Sequence, residues 1–164
     1  ARMAGWLRNA PKALLREVQG NLWLGVSVED QQRANERLPL LTHAWPGRRV
    51  ACLEPLLDRI DLSTWLNALD WVIAGGETGS GGRQADAAHL REVRDQCVSA
   101  GIPLFFKQWG GRKNKQLENT LDGKKWEQLG NDTPRGRSNE PSLVSNSGGD
   151  AGGCEPTARG CPGG

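Results

Sequence analysis

The chain has 164 residues, of which 37% are hydrophobic and 24% charged, a composition ordinary for one soluble globular domain that excludes disorder along the whole length. A net charge of +2 excludes capture of nucleic acid or acidic membrane by bulk attraction and leaves that role to local basic clusters. No apolar run reaches about eighteen residues, and the opening segment mixes Arg2, Arg8, Lys12, Arg16 and Glu17 with short apolar stretches, so neither a membrane span nor a signal peptide fits and the chain reads as cytoplasmic.

Taken in chain order, Met3, Leu7, Leu14, Leu15 and Val18 suggest helical segments broken at Pro11. A first strand is expected over residues 22–28. Asp30 then caps a helix running through Ala34 toward Leu38, with Pro39 breaking or restarting it before Leu40 and Leu41. A second strand covers residues 49–54, and Ser63 caps a short helix carrying Trp65, Leu66 and Leu69. A third strand covers residues 71–74. Asp86 caps a helix whose Leu90, Val93 and Cys97 share one face, and Gly101 with Pro103 stops it before a fourth strand over residues 103–107. The strands are mostly apolar rather than alternating, which predicts a sheet covered on both faces.

This alternation predicts an α/β fold with parallel strands and right-handed crossovers, a partial βα-barrel of the TIM type with four βα units over residues 1–130. A four-stranded arc entered from a helix leaves open edges and an uncovered inner face, so the chain is expected to be the C-terminal fragment of a larger barrel. Residues 131–164 are rich in Gly, Ser, Pro and Asn without periodicity, and read as a low-complexity, disordered tail.

In parallel α/β sheets, ligands bind at the carboxyl ends of the strands. Here every strand ends in polar groups: Ser27 and Glu29 after the first, Glu54 after the second, Gly75, Gly76 and Glu77 after the third, and Lys107, Gln108 and Trp109 after the fourth. Glu54 and Lys107 are the candidate catalytic residues, either a structural ion pair across the sheet or a polarised acid and base set. The segment GGETGSGG, residues 75–82, is either a plain glycine-rich turn or a loop that lets a ligand approach its backbone N–H groups, with Glu77 placed to bind an amine or a ribose hydroxyl; it lacks the Lys-Ser/Thr ending of a P-loop. Trp109 is placed to stack on a flat ligand.

Other residues carry less. His43 and His89 lie away from the strand ends, and a surface or helix-packing role suits them. Cys52 and Cys97 read as small buried apolar residues, Cys154 and Cys161 lie in the tail, and no pair has C-x-x-C spacing, so no metal ligands are expected. Arg112, Lys113, Lys115, Lys124 and Lys125 form either a solvated loop or a phosphate-binding patch.

The segments NLWLGVSVEDQQRANERLPLL, ACLEPLL, LDWVIAGGETGSGGR, GIPLFFKQWGG and TLDGKKWEQL, in that order, resemble the C-terminal half of the phage three-cysteine-motif proteins, a phage-associated family related to radical S-adenosylmethionine enzymes. The resemblance spans residues 1–129. It implies a radical-SAM-like partial barrel in which an early cysteine loop holds a [4Fe-4S] cluster while Ser27, Glu29, Glu54, Gly75, Gly76, Glu77, Lys107, Gln108 and Trp109 line the face for S-adenosylmethionine and an unassigned substrate. The family's three-cysteine loop has no counterpart in this chain, so the cluster ligands are expected to lie upstream of it. The rival expectation is a non-catalytic phage or mobile-element protein that holds nucleic acid or a partner protein on the barrel face and the segment from Arg112 to Lys125.

Overall fold

The computed structural model describes residues 2–111 and 119–130. Two short helices, α1 (Arg2–Asn9) and α2 (Lys12–Val18), lead into strand β1 (Trp23–Ser27), helix α3 (Gln31–Ala44) and strand β2 (Arg48–Leu53). A 3-10 turn at Leu66–Ala68, strand β3 (Trp71–Ala74), helix α4 (Ala87–Ala100) and strand β4 (Leu104–Phe106) follow, then two short strands, β5 (Thr120–Leu121) and β6 (Lys124–Lys125). The fold is α/β. The first four strands form one parallel sheet in the order β1-β2-β3-β4.

The helix boundaries follow from local chemistry. Asp30 accepts a hydrogen bond from the Arg33 amide at 2.8 Å, and Asp86 accepts one from the Ala88 amide at 2.6 Å, so each satisfies a donor that the first helical turn leaves open. Gly101 ends α4 in the left-handed conformation, φ 64°, where a side chain would be strained. Two expectations fail. Pro39 neither breaks nor restarts α3, which runs unbroken through it because Ala34, Leu38 and Leu41 on one face are fully buried and hold the backbone on both sides. Ser63 caps no helix; its amide instead donates to Asp61, and the segment condenses to a single 3-10 turn beginning after Trp65.

The two faces of the sheet differ. Ala51, Leu53, Val72, Ala74, Leu104 and Phe106 are fully buried in one cluster with Leu38, Leu41, Leu90 and Val93 of α3 and α4. The alternate positions Cys52, Ile73 and Phe105 are half-buried, and Gly25 and Ser27 are exposed. The sheet is therefore covered by helices on one face only among the described residues, not on both. The apolar runs misled here because the less buried face is itself apolar.

Near the amino ends of the strands, that second face is closed. Trp23, Trp71 and Phe105 stack edge to face with centroids 5.9 and 6.2 Å apart, and the Arg48 guanidinium lies over the Trp23 ring. The chain then returns beneath them. The Phe106 amide donates to Trp126 O and the Gln128 amide to Leu104 O, an antiparallel pairing along the outer edge of β4. Trp71 Nε1 donates to Gln128 O at 2.9 Å, and Gly130 lies so close to the Trp23 ring that a side chain there would overlap it.

Strands β5 and β6 form a hairpin whose turn residues Asp122 and Gly123 both have positive φ, 52° and 77°. Arg91 and Arg94 of α4 grip the Asp122 carboxylate at 2.7 and 2.6 Å, and Trp126 lies under both Arg94 and Lys124. The hairpin is thus fastened to the helix. No helix among the described residues is long and apolar enough to cross a membrane.

Candidate functional site

The register brings Ser27, Cys52, Ile73 and Phe105 side by side in one layer across the less buried face. Two residues on, at the carboxyl ends, the next layer holds Glu54, Gly75 and Lys107. Glu54 and Lys107 stand on strands two apart, about 10 Å between backbones, and meet over the glycine between them. Lys107 Nζ donates to both Glu54 oxygens at 2.9 and 3.2 Å. Gln108 Nε2 donates to Glu54 Oε1 at 2.6 Å and to Gly76 O at 2.9 Å. The Glu54 side chain is 17% exposed and that of Lys107 53%, so the carboxylate is fixed from within while the ammonium reaches it from solvent.

Gly75 and Gly76 are buried, and both serve packing between the loops that follow β3 and β4. A Cβ on Gly75 would press on the Gln108 amide, and one on Gly76 would overlap the Trp109 carbonyl. The Gly76 amide donates to Gln108 O, the Ala85 amide to Trp109 O and the Gly111 amide to Glu77 O. Gly110, at φ 75°, lies against the same backbone. These glycines bring two loops together rather than opening a surface to a ligand. The exposed part of the segment is its tip, Thr78 to Gly81.

The remaining strand-end acids have their own cations. Arg37 donates to both Glu29 oxygens at 3.1 and 3.0 Å and to Ser27 O at 2.7 Å. Arg83 binds Glu77 through its backbone amide and two guanidinium nitrogens, and this contact holds the Glu77 carboxyl below the usual carboxylate range. Trp109 packs edge-on against Phe106 at 5.0 Å and donates Nε1 to Thr120 O at 3.3 Å, so its ring is engaged within the fold. Ser27 remains exposed at the end of β1.

Sequence reasoning overlooked Arg37, Arg83 and the place of Cys52. Arg83, six residues after Glu77 across a glycine-rich turn, was the legible signal for one of them. Cys52 lies below Glu54 in the same column of the sheet. Burial, reinforced by the Glu54 and Glu29 carboxylates and opposed by Lys107, pushes its thiol pKa up, so it is a neutral thiol at neutral pH. Burial pushes Cys97 up to about 12. Among the described residues no three His, Cys, Asp or Glu side chains gather so as to hold a metal ion. His43 Nδ1 lies 2.6 Å from Pro39 O on α3, and His89 is half-buried on α4, both away from the strand ends. Arg112, Lys113, Lys115, Cys154 and Cys161 and the whole segment 131–164 lie outside the described residues.

The arrangement offers one mixed-charge group, Glu54, Lys107 and Gln108, at the rim of a half-open sheet face floored by aromatic rings. It suits binding of a polar head group by a fixed carboxylate and a more exposed ammonium. No curated protein and no solved structure matches the chain. A family model covers residues 1–130, and the chain belongs to that family, described as protein of unknown function DUF5131.

Proposed function

We propose that this chain supplies the later strands of a radical-SAM-like βα-barrel, with Glu54, Lys107 and Gln108 at the centre of its cofactor and substrate face. The observation that carries the reading is the convergence of these three side chains at the carboxyl ends of two parallel strands separated by a glycine. The resemblance of the ordered segments between residues 21 and 129 to the phage three-cysteine-motif proteins supplies the reaction class.

The reading implies two bound groups, S-adenosylmethionine and a [4Fe-4S] cluster. S-adenosylmethionine carries an ammonium, a carboxylate and ribose hydroxyls, and the rim offers a carboxylate, an ammonium, an amide and the exposed Ser27 hydroxyl, a chemical fit. When bound, this cofactor supplies a cleavable sulfonium. Glu54, Lys107 and Gln108 would orient its polar groups, and the aromatic floor would exclude water from beneath. A [4Fe-4S] cluster does not fit the described residues, because Cys52 and Cys97 stand on a strand and a helix without a third thiolate.

The reading is tested with a protein that carries this chain behind a three-cysteine loop, supplied with iron and sulfide under anaerobic conditions. Saturable binding of labelled S-adenosylmethionine and its reductive cleavage are expected. A reconstituted protein that does neither removes the radical-SAM reading.

A further inference from the structure

Among the described residues the strand ends carry three carboxylates, Glu29, Glu54 and Glu77, and Glu54 is the one whose cation is not also tied to the neighbouring backbone. Glu29 and Glu77 are each bound by an arginine that is also tied to the neighbouring backbone: the Arg37 guanidinium donates to Ser27 O, and the Arg83 carbonyl accepts from the Glu77 amide. Glu54 is positioned by Gln108, which is itself anchored on Gly76 O, and its cation, Lys107, is the more exposed member of the pair. The cation is the more exposed member of all three pairs, and such surface pairs are weak; Lys107 differs in having, among the described residues, only the Glu54 carboxylate to hold its ammonium.

Charge balance then selects the ligand. A cation arriving at Glu54 displaces Lys107 and leaves an ammonium unpaired. An anion arriving at Lys107 faces the fixed Glu54 carboxylate. A ligand with both charges pairs its ammonium with Glu54 and its carboxylate with Lys107, and leaves nothing uncompensated. Below the pair lies a single layer, Ser27, Cys52 and Ile73 with Phe105 at its β4 end. Under that layer the Trp71 ring, against which Phe105 packs edge-on, the Trp23 ring and the returning chain at Gln128 and Gly130 close the face. Two residues of strand rise, about 7 Å, is the depth left to a substituent.

We infer that the Glu54–Lys107 pair is the receptor for an α-amino acid head group whose short apolar side chain enters the layer of Ser27, Cys52 and Ile73. This deepens the proposed function and rests on its reading of the strand-end face as the ligand site. The class includes free methionine, and it includes the amino-acid end of S-adenosylmethionine with the adenosyl group directed outward.

The test is calorimetric titration of the full chain with methionine, its two single-charge analogues 3-(methylthio)propylamine and 4-(methylthio)butanoate, and S-adenosylmethionine. Methionine is expected to bind at least about tenfold more tightly than either analogue, as loss of one charge pair requires. Glu54→Gln should weaken methionine by a similar factor without weakening the butanoate, and Lys107→Met should weaken methionine without weakening the propylamine. Ser27→Leu should exclude methionine while glycine still binds. The analogue series on the unaltered chain decides the matter even if a variant fails to fold. Methionine binding no tighter than its analogues, or no methionine binding at millimolar concentration, overturns the inference. S-adenosylmethionine binding that Glu54→Gln and Lys107→Met leave unchanged also overturns it while sparing the cofactor reading. Methionine binding to this chain upholds the inference whether or not S-adenosylmethionine binds it, and failure of the reconstituted protein to bind S-adenosylmethionine is what removes the cofactor reading.

Discussion

Glu54 and Lys107 lie 53 residues apart in the chain, yet their side chains meet at 2.9 Å across a strand that contributes no side chain between them. The intervening residue is Gly75, and the space a Cβ would take there is filled by the Gln108 amide. Gly75→Ala should therefore cost about 1–2 kcal/mol in urea unfolding, with a smaller cost in a Gln108→Ala background. Strict additivity of the two changes would show that the glycine is not tied to Gln108. Gly76→Ala should cost more, about 3 kcal/mol, because a Cβ there meets the Trp109 backbone carbonyl rather than a flexible side-chain end.

Arg91 and Arg94 hold the Asp122 carboxyl at about 2, below its ordinary 3.8. A depressed folded-state value means that this contact contributes stability above the unfolded value and loses it as pH falls through the folded one. Asn at position 122 keeps the left-handed turn conformation but removes the charge. The stability difference between the unaltered chain and Asp122→Asn should be constant from neutral pH down to about 5 and should shrink between there and about pH 2. A difference that does not change over that range would place the anchorage of the hairpin elsewhere.

Arg49 is buried, and its guanidinium donates to three carbonyls, Thr42 O and Trp45 O at the end of α3 and Ala68 O before β3. Its backbone amide donates to the buried Asp70. Arg49→Met should destabilise the fold by about 2–4 kcal/mol, since it leaves buried acceptors without their donor. Lysine should not rescue it, because one ammonium lacks the guanidinium fork that spans separate carbonyls. Equal stability of the Lys variant and the unaltered chain in a denaturant titration would contradict this.

Raised thiol pKa values lower the thiolate fraction, so Cys52 and Cys97 should alkylate slowly near neutral pH. Cys97, buried on α4, should react only when the chain unfolds, whereas half-exposed Cys52 should react slowly in the native state. Residue-resolved mass spectrometry after iodoacetamide treatment, with and without urea, reads both. Fast native labelling of Cys97 would mean that α4 opens from the sheet.

The elements with strong local chemistry were legible in the sequence. Asp30, Asp86 and Gly101 announced helix ends, and the apolar runs before Glu54, Gly75 and Lys107 announced parallel strands with polar carboxyl ends. Long-range context hid the rest. Burial of Leu38 and Leu41 carried α3 through Pro39, and nothing local reports that burial. The β5–β6 hairpin carried its signal in Asp122–Gly123, but strands of two residues are too short to show alternation. At the site, composition marked Glu54 and Lys107. It could not show that Gly75 and Gly76 are spent on loop packing, because that depends on where the backbone after β4 runs.

The antiparallel pairing of Trp126 and Gln128 with β4 leaves the sheet unequal at its two ends. One margin is already taken by the chain's own return, while β1 is paired among the described residues with β2 alone. Among the described residues the edge still open to pairing is therefore the one along Trp23 to Ser27, and a strand added there would have Ser27 and the Arg37–Glu29 pair as its first neighbours at the rim.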